Sequence, residues 1–215
     1  MTATVDFWVS IGSTYTYLAV MRAEAVAQAE GVALNWRAFS VRKIMVEQNN
    51  SPFRNKPVKA AYMWRDIARR AAARGLSPRI PAPYPLEEFD LANKVAVLGL
   101  QRGWGRDYIR AAYRLWFEQG IEAGQPDNLA GALGGLGLDV AAALEEARSD
   151  AIRAAYDAAT EEAKALGVFG APSFVAAGEV FWGDDRLEDA LAWAKNGTLR
   201  PTSGEVRSAS GRSSR

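Results

Sequence analysis

Ser13 is the side chain best placed to do chemistry. It lies in Gly12-Ser13-Thr14, just after the short apolar run VDFWV from Val5 to Val9, where a strand would hand over to a helix. A hydroxyl there, beside the N–H groups of a helix N-terminus, meets a partial positive charge that favours an anion. The same residue types are also good helix caps, so Ser13 or Thr14 could simply cap. A second group of residues sits far along the chain. Pro172 follows Ala171 and precedes a β-rich run, and a cis bond there would turn the Ala171 amide and carbonyl outward, ready to pair with an extended, peptide-like ligand lying over Ser13. Lys59 falls in the first turn after Pro57, where a helix dipole disfavours a cation and a ligand carboxylate would offset that cost; a solvated surface lysine is the plain alternative. Asn50 fits either loop hydrogen bonding or ligand contact. Asp185 with Arg186 could hold an amino-acid-like group, or Asp184 or Asp185 could cap the following helix.

Two absences limit what these residues can do. The 215-residue chain has no cysteine and no histidine. It therefore makes no disulfide, no thiolate metal site and no thiol nucleophile of its own. Ser-His and Cys-His pairs and the commonest zinc ligands are missing too, so no metal site is expected. The chemistry left belongs to hydroxyls, carboxylates, amines or a borrowed group. With 26 basic and 25 acidic residues the formal charge is +1, which gives no broad field to draw in nucleic acid or an anionic membrane. No segment reaches the roughly 20 apolar residues that span a bilayer, and the first residues lack a basic start followed by a long apolar run. A cytoplasmic protein is expected.

The elements that must position these residues follow from pattern. Val5 to Val9 reads as a strand. Leu18, Met21 and Ala25 recur at helical spacing as far as Gly31, and Val32 to Phe39 alternates as a second strand does. Ser40 to Pro57 is polar and reads as a long loop. Ala60, Trp64, Ile67, Ala68 and Ala71 mark one buried helical face before Gly75, and the prolines of Pro78 to Pro85 cannot continue it. Leu91, Val95 and Leu98 mark another helix, Ile109, Ala112 and Trp116 a further one, and an alanine-rich stretch runs to Leu166. Ser173 to Ala176 and Glu179 to Trp182, joined through Ala177 and Gly178, read as a β-hairpin before a final helix through Trp193. The order βαβ, helical block, ββα predicts an α/β, thioredoxin-like fold with a large all-helical insertion between its halves. Residues 1–40 and 167–199 would form the thioredoxin-like domain, 41–166 the loop and helical insertion, and 200–215, rich in Ser, Gly and Arg, a disordered tail.

Ser13 to Ala19 (STYTYLA), NKPVKAAYMWRDIARRAAARG from Asn55 to Gly75, Tyr84-Pro85, and GVFGAPSFV followed by FWGDDRL between Gly167 and Leu187 resemble the 2-hydroxychromene-2-carboxylate isomerase family. That family is similar to kappa-class glutathione transferases and, more distantly, to DsbA-like oxidoreductases. The resemblance implies glutathione as cofactor, with its sulfur against Ser13 and its cysteinyl backbone on Ala171 beside Pro172. It implies the glycyl carboxylate near Asn50 and Lys59, and the γ-glutamyl end near Asp184, Asp185 and Arg186. It further implies isomerisation of a small aromatic or conjugated substrate by reversible thiol addition, in a homodimer. Tyr15, Tyr62, Trp64 and Tyr84 are candidate substrate walls and equally good core residues. The family usually has Pro after the reactive Ser, often Asp three residues before it, and a proline within 38–41; this chain has Thr14, Ser10 and none in that stretch. Two other readings remain open: a kappa-like transferase that conjugates glutathione, and a non-catalytic thioredoxin-like binding module. Thiol-disulfide exchange is excluded by the missing cysteine.

Overall fold

The computed structural model describes residues 2–50, 52, 53 and 55–199. The sheet forms because β1 (Thr4–Val9) carries large apolar residues on both faces and so must be covered on both. It pairs in parallel with β2 (Ala33–Ala38) and antiparallel with β3 (Ser173–Ala176), which pairs with β4 (Glu179–Trp182), giving the order β2-β1-β3-β4. The two β-rich ends of the chain therefore meet in one sheet. On one face Phe7 stacks on Phe174 with ring centres 4.8 Å apart and meets Trp36 edge-on at 4.7 Å. On the other, Trp8 packs with Phe39, Val41, Ile44 and Ala163 in a smaller cluster. The β3–β4 turn puts Ala177 and Gly178 at positive φ, as a tight hairpin requires.

Between the two halves of the sheet the chain is helical. It includes α3 (Val41–Glu47), α4 (Pro57–Ala73), α5 (Phe89–Arg102), α6 (Gly105–Gln119), α7 (Pro126–Gly134), α8 (Val140–Ala147) and α9 (Asp150–Ala165). One continuous cluster of buried residues takes in both Phe7 and Phe174 of the sheet and Tyr108, Trp116 and Leu129 of the helices. Among the described residues no helix is long and apolar enough to cross a membrane. Residues 200–215 lie outside those described.

Four local expectations are corrected. The first helix is two: α1 (Thr16–Val20) and α2 (Ala23–Glu30), parted at Met21 and Arg22, where the Arg22 guanidinium is held by Asp184 and Glu188. Helical spacing survives the break because both pieces bury residues in the same core. The segment after Ser40 is not all loop. Ser40 accepts the Lys43 N–H at 3.2 Å and caps α3, whose Val41 and Ile44 are buried. The buried face of α4 is Met63, Asp66, Ile67 and Ala71, with Ala60, Trp64 and Ala68 only partly covered. Asp66 faces inward because Tyr15 and Arg70 both hydrogen-bond to it. Finally, neither Asp184 nor Asp185 caps the last helix. Asp184–Arg186 form a single 3-10 turn, and α10 (Leu187–Asn196) starts after Arg186 with no side-chain cap.

Candidate active site

Ser13 does not cap a helix. α1 begins at Thr16 and has no side-chain cap, and Thr14 Oγ1 lies 3.0 Å from Met63 Sδ on α4. The Ser13 hydroxyl instead donates to the Ala171 carbonyl at 2.6 Å, across 158 residues of sequence. The Ala171–Pro172 bond is cis. The two positions, far apart along the chain, are thus in direct contact, as the expected fold requires. α1 is only five residues long, so little of a macrodipole is aimed at Ser13, and polarity there comes from the hydroxyl and the local N–H groups.

The turn around Ala171 is fixed from several sides. Ser173 Oγ donates to the Gly170 carbonyl at 2.8 Å, and the Gly183 N–H donates to the Pro172 carbonyl at 3.0 Å. A Cβ on Gly170 would lie 2.3 Å from the Trp182 indole nitrogen, so no other residue fits beneath that ring. Trp182 and Phe169 pair at 5.0 Å and are both substantially exposed, leaving an aromatic rim beside Ala171.

The Ser10 and Thr14 positions, which differ from the resembled family, are both spent inside the fold. Ser10 is fully buried and its Oγ accepts the Val41 N–H at 3.3 Å. Thr14 is held against Met63. Lys59 stands four residues, about 6 Å along the helix axis, before Met63, and so one turn from the residue that touches Thr14. Lys59 is exposed, and its ammonium sits 5.6 Å from the centre of the Phe53 ring. An aromatic series leads inward from there: Phe53 to Tyr84, Tyr84 to Trp64, Trp64 to Phe117, and Phe117 to Tyr17 and Tyr113. Asn50 follows α3 in the chain, exposed, with its N–H on the Met45 carbonyl at 2.8 Å. Among the described residues no hydrogen bond joins Asn50 or Lys59 to Ser13 or Ala171.

At the other side the two aspartates divide. Asp184 is 2% exposed and bound by Arg22 at 3.3 Å, Arg74 at 2.7 Å and Arg70 at 4.0 Å. Its carboxylate is thus engaged by guanidinium groups, which gives it a part in holding the fold. Asp185 is exposed, 4.0 Å from Arg70 and 3.2 Å from Arg186, which also binds Asp189. Arg70 continues the network to Asp66, and Asp66 to the Tyr15 hydroxyl at 3.0 Å. Burial pushes the Asp66 carboxyl up, but hydrogen bonds from Arg70 and Tyr15 outweigh it and hold it below the usual carboxylate range. Burial, then the bond to Asp66, push the Tyr15 phenol up. Tyr15 is therefore a fixed donor, two residues from Ser13.

Sequence reasoning missed Asn93, Tyr113, Arg22, Arg70, Arg74 and Asp66. Asn93 left one readable trace: a polar residue inside the apolar helical run LANKVAVLGL. Arg22 and Arg74 left none, since their partner Asp184 lies more than a hundred residues away.

The family description DSBA-like thioredoxin domain matches residues 4–192. A protein of Sphingobium xenophagum named 2-hydroxychromene-2-carboxylate isomerase is 29% identical over 190 residues, covering 87% of this chain and 96% of that relative. One of the same name from Pseudomonas putida is 26% identical, covering 85% and 90%. A solved structure of selenomethionine-containing 2-hydroxychromene-2-carboxylate isomerase superposes with a TM-score of 0.76 at 26% identity, covering 86% of this chain and 90% of that one.

Proposed function

This chain belongs to the DSBA-like thioredoxin domain family, and we propose that it is a glutathione-dependent isomerase of 2-hydroxychromene-2-carboxylate type. The observation that carries the proposal is the 2.6 Å hydrogen bond from Ser13 to Ala171 in a chain without cysteine. Relatives named for that isomerase over most of their length supply the reaction class.

The side chains present suit glutathione. With the Ala171 backbone carbonyl, they offer a hydroxyl donor at Ser13, a cation at Lys59 and an exposed carboxylate at Asp185, against a peptide with a thiol, an amide N–H, a carboxylate and an ammonium group. When bound, glutathione supplies a thiolate for reversible addition to a conjugated carbon, which frees a double bond to rotate and returns the thiol unoxidised. Ser13 would turn its O–H from Ala171 to the sulfur, favouring the ionised thiol. The Ala171 carbonyl, released, would accept the cysteinyl N–H in exchange, so neither polar group loses a partner. Lys59 and Asn50 would take the glycyl carboxylate, and Asp185, with Arg186 beside it, the γ-glutamyl ammonium. Trp64 and Tyr84, between Lys59 and the Ser13 turn in the aromatic series, would border a flat substrate. The same resemblance carries a homodimer, and the cytoplasmic location expected from the sequence pattern is also part of the proposal.

Titration calorimetry with reduced glutathione tests the premise, and product analysis tests the reaction. We expect one saturable site per chain and, with 2-hydroxychromene-2-carboxylate, recovery of all the free thiol. No heat of binding would reject the cofactor, and a stable thioether would mark a transferase instead.

A further inference from the structure

The Ser10–Ser13 turn contains one internal backbone bond, from the Ser13 N–H to the Ser10 carbonyl at 3.1 Å. Its backbone is held further by two buried polar side chains of the helical block. Asn93 on α5 is fully buried; its Oδ1 accepts the Ile11 N–H at 2.8 Å, and its Nδ2 donates to the Ile11 carbonyl at 2.8 Å and the Phe89 carbonyl at 2.9 Å. It thereby pairs both polar groups of one residue, as a neighbouring strand would. Tyr113 on α6 is also fully buried, and its hydroxyl shares its one proton between the Ser10 and Ser13 carbonyls, at 2.9 and 3.0 Å. Packing alone would be served by leucine and phenylalanine at these positions without the cost of burying polar atoms. The two helices that carry the pair are locked together: a Cβ on Gly105 at the start of α6 would lie 2.3 Å from the Leu100 nitrogen of α5.

We infer that Asn93 and Tyr113 are positioning residues for Ser13, gripping the turn by its backbone so that the hydroxyl is aimed at the Ala171 side of the site. The inference rests on the reading of Ser13 given above. It assigns the helical block a task besides covering the sheet: it sets where the hydroxyl points. Ile11, held at both ends, and Ser13, held at its carbonyl, leave the Ser13 side chain little but its own rotation. Of the ionisable groups around the turn, burial keeps Tyr113 protonated, Tyr15, Asp66 and Arg70 form a set beyond Thr14, and Arg42 lies over Phe89, which packs against Gly12. A change in the bound thiol on removing the Tyr113 hydroxyl therefore reports geometry and not the loss of a titrating group.

The test compares Tyr113→Phe, Asn93→Leu and Ser13→Ala in the full chain. Amide exchange of Ile11 and Ser13 is read without ligand, and the ionisation of reduced glutathione is read once bound. Tyr113→Phe keeps the ring and is the variant most certain to fold. Both positioning variants should speed exchange at the turn about tenfold or more. They should move the thiol ionisation upward toward that of Ser13→Ala, while glutathione affinity measured at a pH low enough to keep the thiol protonated changes less than about twofold, since the misaimed hydroxyl favours only the ionised form. A merely structural role would lower thermal stability and leave the thiol ionisation where it was. That result in Tyr113→Phe, with Ser13→Ala shifted, overturns the inference alone. No shift in Ser13→Ala itself removes the reading of Ser13, and this inference with it.

Discussion

The proposed glutathione site has two ends, and they are built differently. At the sheet, Ser13, Ala171 and Pro172 stand among groups that are nearly all paired: Ser13 with Ala171, Ser173 with Gly170, Tyr113 and Asn93 with the Ser10–Ser13 turn, Asp184 with its arginines. Lys59 at the start of α4 and Asn50 just after α3 are exposed, and an open hollow runs along Lys56, Pro57, Val58, Lys59 and Tyr62. Val58 and Tyr62 are 83% and 61% exposed there, a large apolar surface with little covering it. The difference teaches where each kind of energy belongs. A preorganised end can bias the ionisation of a group because its dipoles need not reorganise. An open end can add affinity but must spend part of it on ordering side chains.

The largest effect expected separates the ends by stability. Asp184→Ala leaves Arg22 and Arg74 beside a vacated, buried position and should destabilise the fold by about 3 kcal/mol, read by denaturant unfolding. A loss under about 0.5 kcal/mol, the scale of an ordinary surface change, would show that the built end does not depend on that carboxylate. Lys59→Ala should leave unfolding unchanged and weaken glutathione binding about fivefold, or about 1 kcal/mol, read by calorimetry. Unaltered affinity would return Lys59 to the surface and break the contrast from the other side.

The same division governs what the sequence disclosed. Residues that act near their own position along the chain were legible: the VDFWV strand, the turn at Gly12 and Ser13, the hairpin at Ala177 and Gly178, the placing of Lys59 after Pro57. Pairing of the two chain halves followed from the element order, since βαβ, helical block, ββα brings the two β-rich ends into one sheet. What stayed hidden depends on distant partners. Asp184 looked like a cap because Asp before a helix usually is one; only the fold brings Arg22 and Arg74 to it. Ser40 was readable as the cap of α3 but was masked by the polar run that follows. Asn93 and Tyr113 resemble ordinary core residues until Ile11 and Ser13 are seen against them. Their meaning lies in backbone atoms, which carry no residue type to read.

The most direct measurement is the ultraviolet absorbance of thiolate against pH for reduced glutathione bound to the native chain and to Ser13→Ala. The account predicts that the bound thiol ionises below its free value in the native chain. It predicts a rise of about one pH unit, about 1.4 kcal/mol, when the hydroxyl is removed. Superimposable titrations of the two proteins would contradict it, whatever the turnover of either.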